Sequence, residues 1–371
     1  MKTFLGFIFY FLVITTYSQI VETVATNPTI VDGLHVDEAG LVFTTPGGLM
    51  GGTGIGVYNP GTDAYTANFV TGIFGGIDID QFNDSMLAVT AYDNNSLYEV
   101  NKNTGQVEQL ATGFDGPSGI AVDQENTIYV ANYGSPPTYN GNTIHKVLAT
   151  GEKWVYIESE LLFQVQAMAF NPEGELVVYS QNMLYKVNPS DSSLVEWTAI
   201  ENKLNNMVYR EEDQSFYATS ITSHLIYKIT DQGEVSVFSG SSLGYADGAF
   251  NEALFTRPLG IGITEGGESL YISESGPGRL RRVIMNSQLN TERQPAEDFV
   301  IFPNPVGDYL EIKGSAVINE WSIFDSAGVM RSKGRPNSSE FRINLDSLPS
   351  GKYVIELGAE TQLIRKSFIK N

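Results

Sequence analysis

The sequence predicts an all-β protein: a six-bladed β-propeller followed by a small C-terminal immunoglobulin-like β-sandwich. Three observations carry this reading. A short strand phrase recurs six times at the spacing of a four-stranded blade, a lone strand stands ahead of the first repeat, and residues 299–371 change to short alternating strands set apart by Gly and Pro.

The recurring phrase is a small residue, a hydrophobe, any residue, a hydrophobe, then usually Asp or Asn. It reads Gly33-Leu-His-Val-Asp37, Gly76-Ile-Asp-Ile-Asp80, Gly119-Ile-Ala-Val-Asp123, Ala167-Met-Ala-Phe-Asn171, Asn206-Met-Val-Tyr-Arg210 and Gly260-Ile-Gly-Ile-Thr264. The final residues lie 43, 43, 48, 39 and 54 apart, the period of a propeller blade. Each phrase is followed by a second strand, such as Met86–Thr90 or Leu270–Ser273, and a third, such as Leu97–Val100 or Leu280–Val283. Five repeats continue into a fourth strand and the sixth does not. Ile20–Thr26 is therefore expected to pair with Leu280–Val283 and close the ring, removing open sheet edges. The phrase is read as the innermost strand, where Ala121, Ala169 and Gly262 suit the crowded axis. His35 and Asp78 break that pattern in adjacent blades, either facing a wet channel or pairing with each other.

In 299–371, the strands expected over Tyr309–Ile312, Glu320–Phe324, Glu340–Leu345 and Lys352–Leu357 make a small antiparallel sandwich. The polar stretch 286–298, with Pro295, reads as a linker between this segment and a propeller over 19–285.

The N-terminus has the three parts of a secretory signal peptide over 1–18: Lys2, the apolar run Phe4–Ile14, and Thr16-Tyr17-Ser18, with cleavage expected between Ser18 and Gln19. The apolar run is too short for a stable membrane anchor, and no later stretch reaches about 18 consecutive apolar residues, so no transmembrane segment is expected.

Composition bounds the chemistry. The chain has no Cys, which excludes disulfides, thiolate metal sites and Cys nucleophiles. Its three His (His35, His145 and His224) show no metal-ligand spacing. Residues 19–298 hold 12 basic and 35 acidic residues, a net charge of −23, whereas 299–371 are near neutral with 9 and 8. That field repels nucleic acid and anionic membranes and permits cations or basic partners.

The propeller residues resemble the NHL-repeat and gluconolactonase-like families. The resemblance rests on Pro117-Ser-Gly-Ile-Ala-Val-Asp-Gln-Glu-Asn-Thr-Ile-Tyr-Val-Ala-Asn132, on Gly244-Tyr-Ala-Asp-Gly248 and Arg257-Pro-Leu-Gly260, and on Leu270-Tyr-Ile-Ser273 and Arg279-Leu-Arg-Arg-Val283. It implies a fold, and the fold hosts binders as well as enzymes. The ordered motifs Phe302-Pro303-Asn304-Pro305-Val306, Asp308-Tyr-Leu-Glu-Ile312, Gly328, Gly351-Lys-Tyr353-Val354 and Lys366-Ser-Phe-Ile-Lys370 resemble the type A C-terminal sorting domain of the type IX secretion system of Bacteroidota. That resemblance implies passage through the periplasm, engagement of the secretion machinery by 299–371, and a final place outside the cell or on the outer-membrane surface.

Ligands of a propeller meet the loops at one end of its channel. Here the loops before the inner strands and after the second strands gather at one end. The loop Asn132–Asn142 contributes Asn132, Tyr133, Tyr139 and Asn140, aromatic and amide groups suited to a carbohydrate, peptide or protein ligand. Gln166 and Glu274 stand at the same end of other blades. Asp32 and Asn205 resemble two metal-ligand positions of the gluconolactonase-like enzymes, with no counterpart of the ligand Glu; the other reading makes both turn caps. No G-x-S-x-G or phosphate loop occurs. The expected function is a secreted or surface binding propeller that needs no cofactor. The alternative is a lactonase-like hydrolase dependent on calcium or another divalent ion.

Overall fold

The computed structural model describes residues 20–47, 52–285, 300–325, 329–359 and 362–371. The expected cleavage site at Ser18 and Gln19, the linker 286–298 and Gly328 lie outside the described residues. The rest forms two compact units, one on each side of 286–299.

The first unit is a six-bladed propeller in which each recurring phrase is an innermost strand. These strands are Leu34–Val36, Gly76–Asn83, Pro117–Val122, Met168–Phe170, Asn206–Arg210 and Pro258–Ile263. In blades one to five, four consecutive strands pair antiparallel outward from the axis. In blade six the fourth place is taken by Ile20–Thr26, with Val21 opposite Val283 and Thr26 opposite Arg279. The ring closes as the displaced strand predicts. A two-residue strand, Gly248–Ala249, adds to the outer side of Ile20 and Val21, an addition not visible in the repeat.

The core is six hydrophobic clusters, one between each pair of neighbouring blades. Blades one and two bury Phe43, Ile55, Ile79 and Leu87, and blades six and one bury Ile30, Leu34, Tyr58 and Tyr271. The glycines that open three of the phrases, Gly33, Gly119 and Gly260, serve this packing. A Cβ on Gly119 would lie 2.2 Å from the Gln166 carbonyl oxygen of blade four, and one on Gly260 would lie 2.2 Å from that of Asp32 in blade one. Only glycine lets adjacent inner strands approach this closely.

Hydroxyls stitch the same junctions. Near the end of the second strand, Thr45, Thr90, Thr219 and Ser273 each donate to a carbonyl of the next blade's inner strand or of the loop entering it, at Ile77, Ser118, Leu259 and Asp32 respectively. Between blades three and four, Ser118 Oγ donates instead to the Val165 carbonyl at 2.7 Å.

Acidic side chains finish the channel wall. Asp78 accepts from the amides of Ile79 and Ile120 at 3.0 and 3.2 Å and from Asn206 Nδ2 at 2.9 Å. Asp80 accepts from the Val122 amide at 3.1 Å and pairs with His35 Nδ1 at 3.0 Å. The partner of His35 is thus Asp80, not Asp78. Asp78 is buried and caps one inner-strand amide in each of blades two and three.

In the second unit the two strands expected over 309–312 and 320–324 are one 17-residue strand, Tyr309–Asp325. Its register shifts between Lys313 and Ile318, so its halves serve different partners. Tyr309–Lys313 pairs with residues 340–344, whereas Ile318–Asp325 pairs with residues 353–359 and touches the earlier partner only where Ile318 meets Ser338. The sheet folds over a core of Leu310, Ile323, Ile343, Ile355, Leu357 and Phe368. The motif residues hold this unit together. Asn304, between Pro303 and Pro305, accepts the Ile369 amide at 2.9 Å, and the Tyr353 ring stacks on Phe368 with centroids 5.6 Å apart. Gly351 pairs opposite Lys370 and Lys366 opposite Ile355.

Candidate ligand-binding site

The end of the channel that gathers the loops before the inner strands holds an open pocket of about 440 Å³, lined by Asp32, Ile77, Tyr92, Ser118, Tyr133, Tyr139, Gln164 and Gln166. Four of the residues expected to meet a ligand or metal are therefore brought together: Asp32, Tyr133, Tyr139 and Gln166.

The tyrosines form the wall. Tyr92 and Tyr133 meet edge to face with centroids 6.3 Å apart, and Tyr133 and Tyr139 do so at 6.4 Å. The loop that carries Tyr133 and Tyr139 is fixed at its base. The Gly141 amide donates to the Tyr133 carbonyl at 3.1 Å, and Gln164 Nε2 donates to the Tyr139 carbonyl at 2.8 Å. Tyr92 OH donates to the Gly134 carbonyl at 2.9 Å, tying blade two to this loop. Aromatic rings held on such a base present apolar area at low entropic cost.

Asp32 lines this space, and Lys203, outside its lining, packs on the Tyr133 ring. Burial raises the Asp32 carboxyl from 3.8 to about 7, against the opposing pull of Lys203. Burial lowers the Lys203 ammonium, against the opposing pull of Asp32. Lys203 Nζ stands 4.9 Å from the Tyr133 ring centroid, a cation–π position. No ion pair within 4.0 Å joins Asp32 to Lys203, so the charges interact across a gap. Among the described residues the Asp32 carboxylate accepts no hydrogen bond, which corrects its reading as a turn cap. Its backbone alone is engaged: the Asp32 amide donates to the Thr45 carbonyl at 3.1 Å.

The remaining expected site residues are elsewhere. Asn132 is buried at the foot of the loop, donating to Thr143 Oγ1 at 2.7 Å and accepting the Asp115 amide at 3.2 Å. Asn140 is exposed and outside the pocket lining. Glu274 is fully buried, bound to Arg281 at 3.1 Å and Arg279 at 3.4 Å, and accepts the Thr256 amide at 2.6 Å. Its carboxylate is consumed by blade six, which corrects its place among ligand contacts. Asn205 is a turn cap: its Oδ1 accepts the Ile221 amide at 2.9 Å and its Nδ2 donates to Gln166 Oε1 at 3.2 Å.

The donor set does not fit a divalent cation. The amide oxygen of Asn205 is occupied, and an ion at Asp32 would meet the positive charge of Lys203. Among the described residues no group of three or more His, Asp or Glu is arranged to hold a metal. At the other mouth, a wider opening of about 600 Å³ is lined by Glu38, Asp84, Glu211, Glu212 and Glu265, and buried Lys102 binds Glu38 there at 2.6 Å.

Tyr92 and Lys203 were not legible as site residues. Tyr92 directly follows a second strand. Lys203 lies in the loop entering blade five, a basic residue in an acidic unit, and that contrast was its only signal.

Comparison with known proteins agrees with this architecture. Residues 300–371 match the family model of the secretion system C-terminal sorting domain. A protein of unknown function from Bacteroides thetaiotaomicron is 15% identical over 72% of this chain and 76% of its own, with a TM-score of 0.59. An auxiliary nutrient binding protein from Bacteroides ovatus is 17% identical over 72% and 77%, with a TM-score of 0.58. A gluconolactonase from Xanthomonas campestris is 10% identical over 72% and 89%, with a TM-score of 0.56. These likenesses show the propeller fold that NHL and gluconolactonase-like proteins share. A comparison with curated protein sequences found no match. No helix among the described residues is long and apolar enough to cross a membrane.

Proposed function

We propose that this chain is an exported binding protein, carried out of the cell by the secretion machinery its C-terminal domain addresses, whose propeller holds a small polar ligand in the tyrosine-walled pocket. The sorting-domain match supports the route. One observation carries the binding role: a pocket at the loop end of the channel is walled by the rings of Tyr92, Tyr133 and Tyr139 and lined by the Asp32 carboxyl, which accepts no hydrogen bond among the described residues. A cleft lined by aromatic rings with a few convergent polar groups is the ordinary form of a small-molecule site. The engagement of Asn205 and the charge of Lys203 weigh against the metal-dependent hydrolase.

A thermal-shift screen of the purified full chain against sugars, amino acids, dipeptides and nucleosides tests this reading. At least one compound should raise Tm, recovered unaltered afterwards, with the shift lost in Tyr133→Ala. Chemical conversion of the compound, or equal shifts in the variant, would overturn it.

A further inference from the structure

We propose that the pocket takes a small alkylated ammonium, its charge opposite the Asp32 carboxylate and its methyl or methylene groups against the rings of Tyr92, Tyr133 and Tyr139. This rests on the binding-site reading above and names the ligand class.

Ring geometry is the first reason. Tyr133 stands at 73° to Tyr92 and at 80° to Tyr139, with centroids 6.3 and 6.4 Å apart. Two rings near a right angle make a corner in which a ligand can touch a face of each. A compact cation suits such corners, because the electron-rich faces of several rings attract it at once. The volume, about 440 Å³, lies near the lower end of small-molecule sites.

The polar groups of the lining are the second reason. Tyr92 OH, Ser118 Oγ and Gln164 Nε2 donate to the carbonyls of Gly134, Val165 and Tyr139, and Gln166 Oε1 accepts from Asn205. Asp32 is the one charged residue of the lining, and its carboxylate accepts no hydrogen bond among the described residues. A ligand with many hydroxyls would thus find several lining groups already engaged, and a primary ammonium would need acceptors for three N–H groups. An alkylated ammonium brings a charge for Asp32 and few or no donors to satisfy. The surroundings agree: residues 19–298 carry a net charge of −23, a field that draws in cations and repels anions.

Lys203 opposes any cation here. A cation touching Asp32 is held at contact distance, whereas Lys203 acts from outside the lining, and Coulomb energy falls with separation. A divalent ion would double the repulsion and needs several oxygen ligands, which an alkylated ammonium does not.

Titration calorimetry on the full chain at pH 8, above the Asp32 value of about 7, tests the proposal with choline and tetramethylammonium. Two controls share the shape of choline: 3,3-dimethylbutan-1-ol replaces its nitrogen by carbon, and glycine betaine carries a carboxylate in place of its hydroxyl group. Choline should bind, and both controls should bind about fivefold or more weakly, the size of a charge contact at about 4 Å in water. That comparison uses the unaltered protein, so it reports even if variants misfold. Asp32→Asn should weaken choline by a similar factor. Tyr139→Leu should weaken it about threefold, whereas Tyr139→Phe, which keeps the ring, should not. Lys203→Met removes the opposing charge and should bind choline at least as tightly as the wild type. Silence from both cations, equal affinity for the uncharged alcohol, affinity unmoved in Tyr139→Leu, or a loss in Lys203→Met would overturn the proposal. Binding of a saccharide, amino acid or nucleoside in place of the cations would also overturn it, while leaving the binding-protein reading intact.

Discussion

At Asp32, burial and charge pull in opposite directions, and pH decides between them. Its folded pKa of about 7 lies above the unfolded value of 3.8, so the folded state binds the proton more tightly. The stability tied to that proton is fully present below about pH 4 and is lost as pH rises through about 7. Asn resembles the protonated form. Asp32→Asn should therefore match wild type at pH 4 and exceed it at pH 8, by on the order of 2 kcal/mol, with part of the gain offset because Lys203 loses its attracting charge. Urea unfolding at the two pH values checks the sign; a variant less stable than wild type at pH 8 contradicts it. At the same residue, calcium should raise Tm no more than sodium at matched ionic strength, because linkage requires preferential binding to the folded state. A calcium-specific shift abolished by Asp32→Ala would restore the metal reading.

Among elements, the recurring device is a hydroxyl near the end of the second strand that bonds into the next blade. Thr→Val at position 90 or 219 keeps the side-chain shape and leaves a buried carbonyl, of Ser118 or Leu259, without its donor. Each change should cost about 1–3 kcal/mol in denaturant unfolding. Ring closure involves more groups. The strand Ile20–Thr26 pairs along its length with Arg279–Ile284, and Arg282 Nε donates to Glu22 at 2.6 Å. Asp247 adds a second hold, accepting the Thr23 amide at 3.1 Å and pairing with Arg281 at 2.7 Å. Deleting 20–26 exposes a sheet edge and strips Val21 from its cluster. Cooperative unfolding should be lost; an unchanged melting temperature would contradict the closure argument.

For the whole molecule, the two units differ in charge as well as fold. Residues 19–298 carry the whole of the net negative charge, and the near-neutral C-terminal unit is the part that matches the sorting-domain model. Intact-mass measurement of culture supernatant and surface fractions should find a protein that begins at or near Gln19 and lacks the C-terminal unit. Full-length protein outside the cell, with Lys366 to Lys370 retained, would contradict this.

The sequence by itself determined the blade count, the closing strand and the C-terminal motif order, because each is written locally. A period-two strand, a glycine at a crowded contact and a turn recur at fixed spacing, and repetition makes a weak local signal strong. The tyrosine loop was legible for the same reason, as an insertion breaking the period. Tertiary structure alone decided which side chains share a space. Asp32 and Lys203 are 171 positions apart, and their coupling arises only when the ring brings blades one and five to one channel mouth. Glu274 ends the second strand of blade six and Tyr92 directly follows that of blade two. Buried arginines consume the first, and the second becomes a pocket wall, a difference that packing sets and local sequence does not encode.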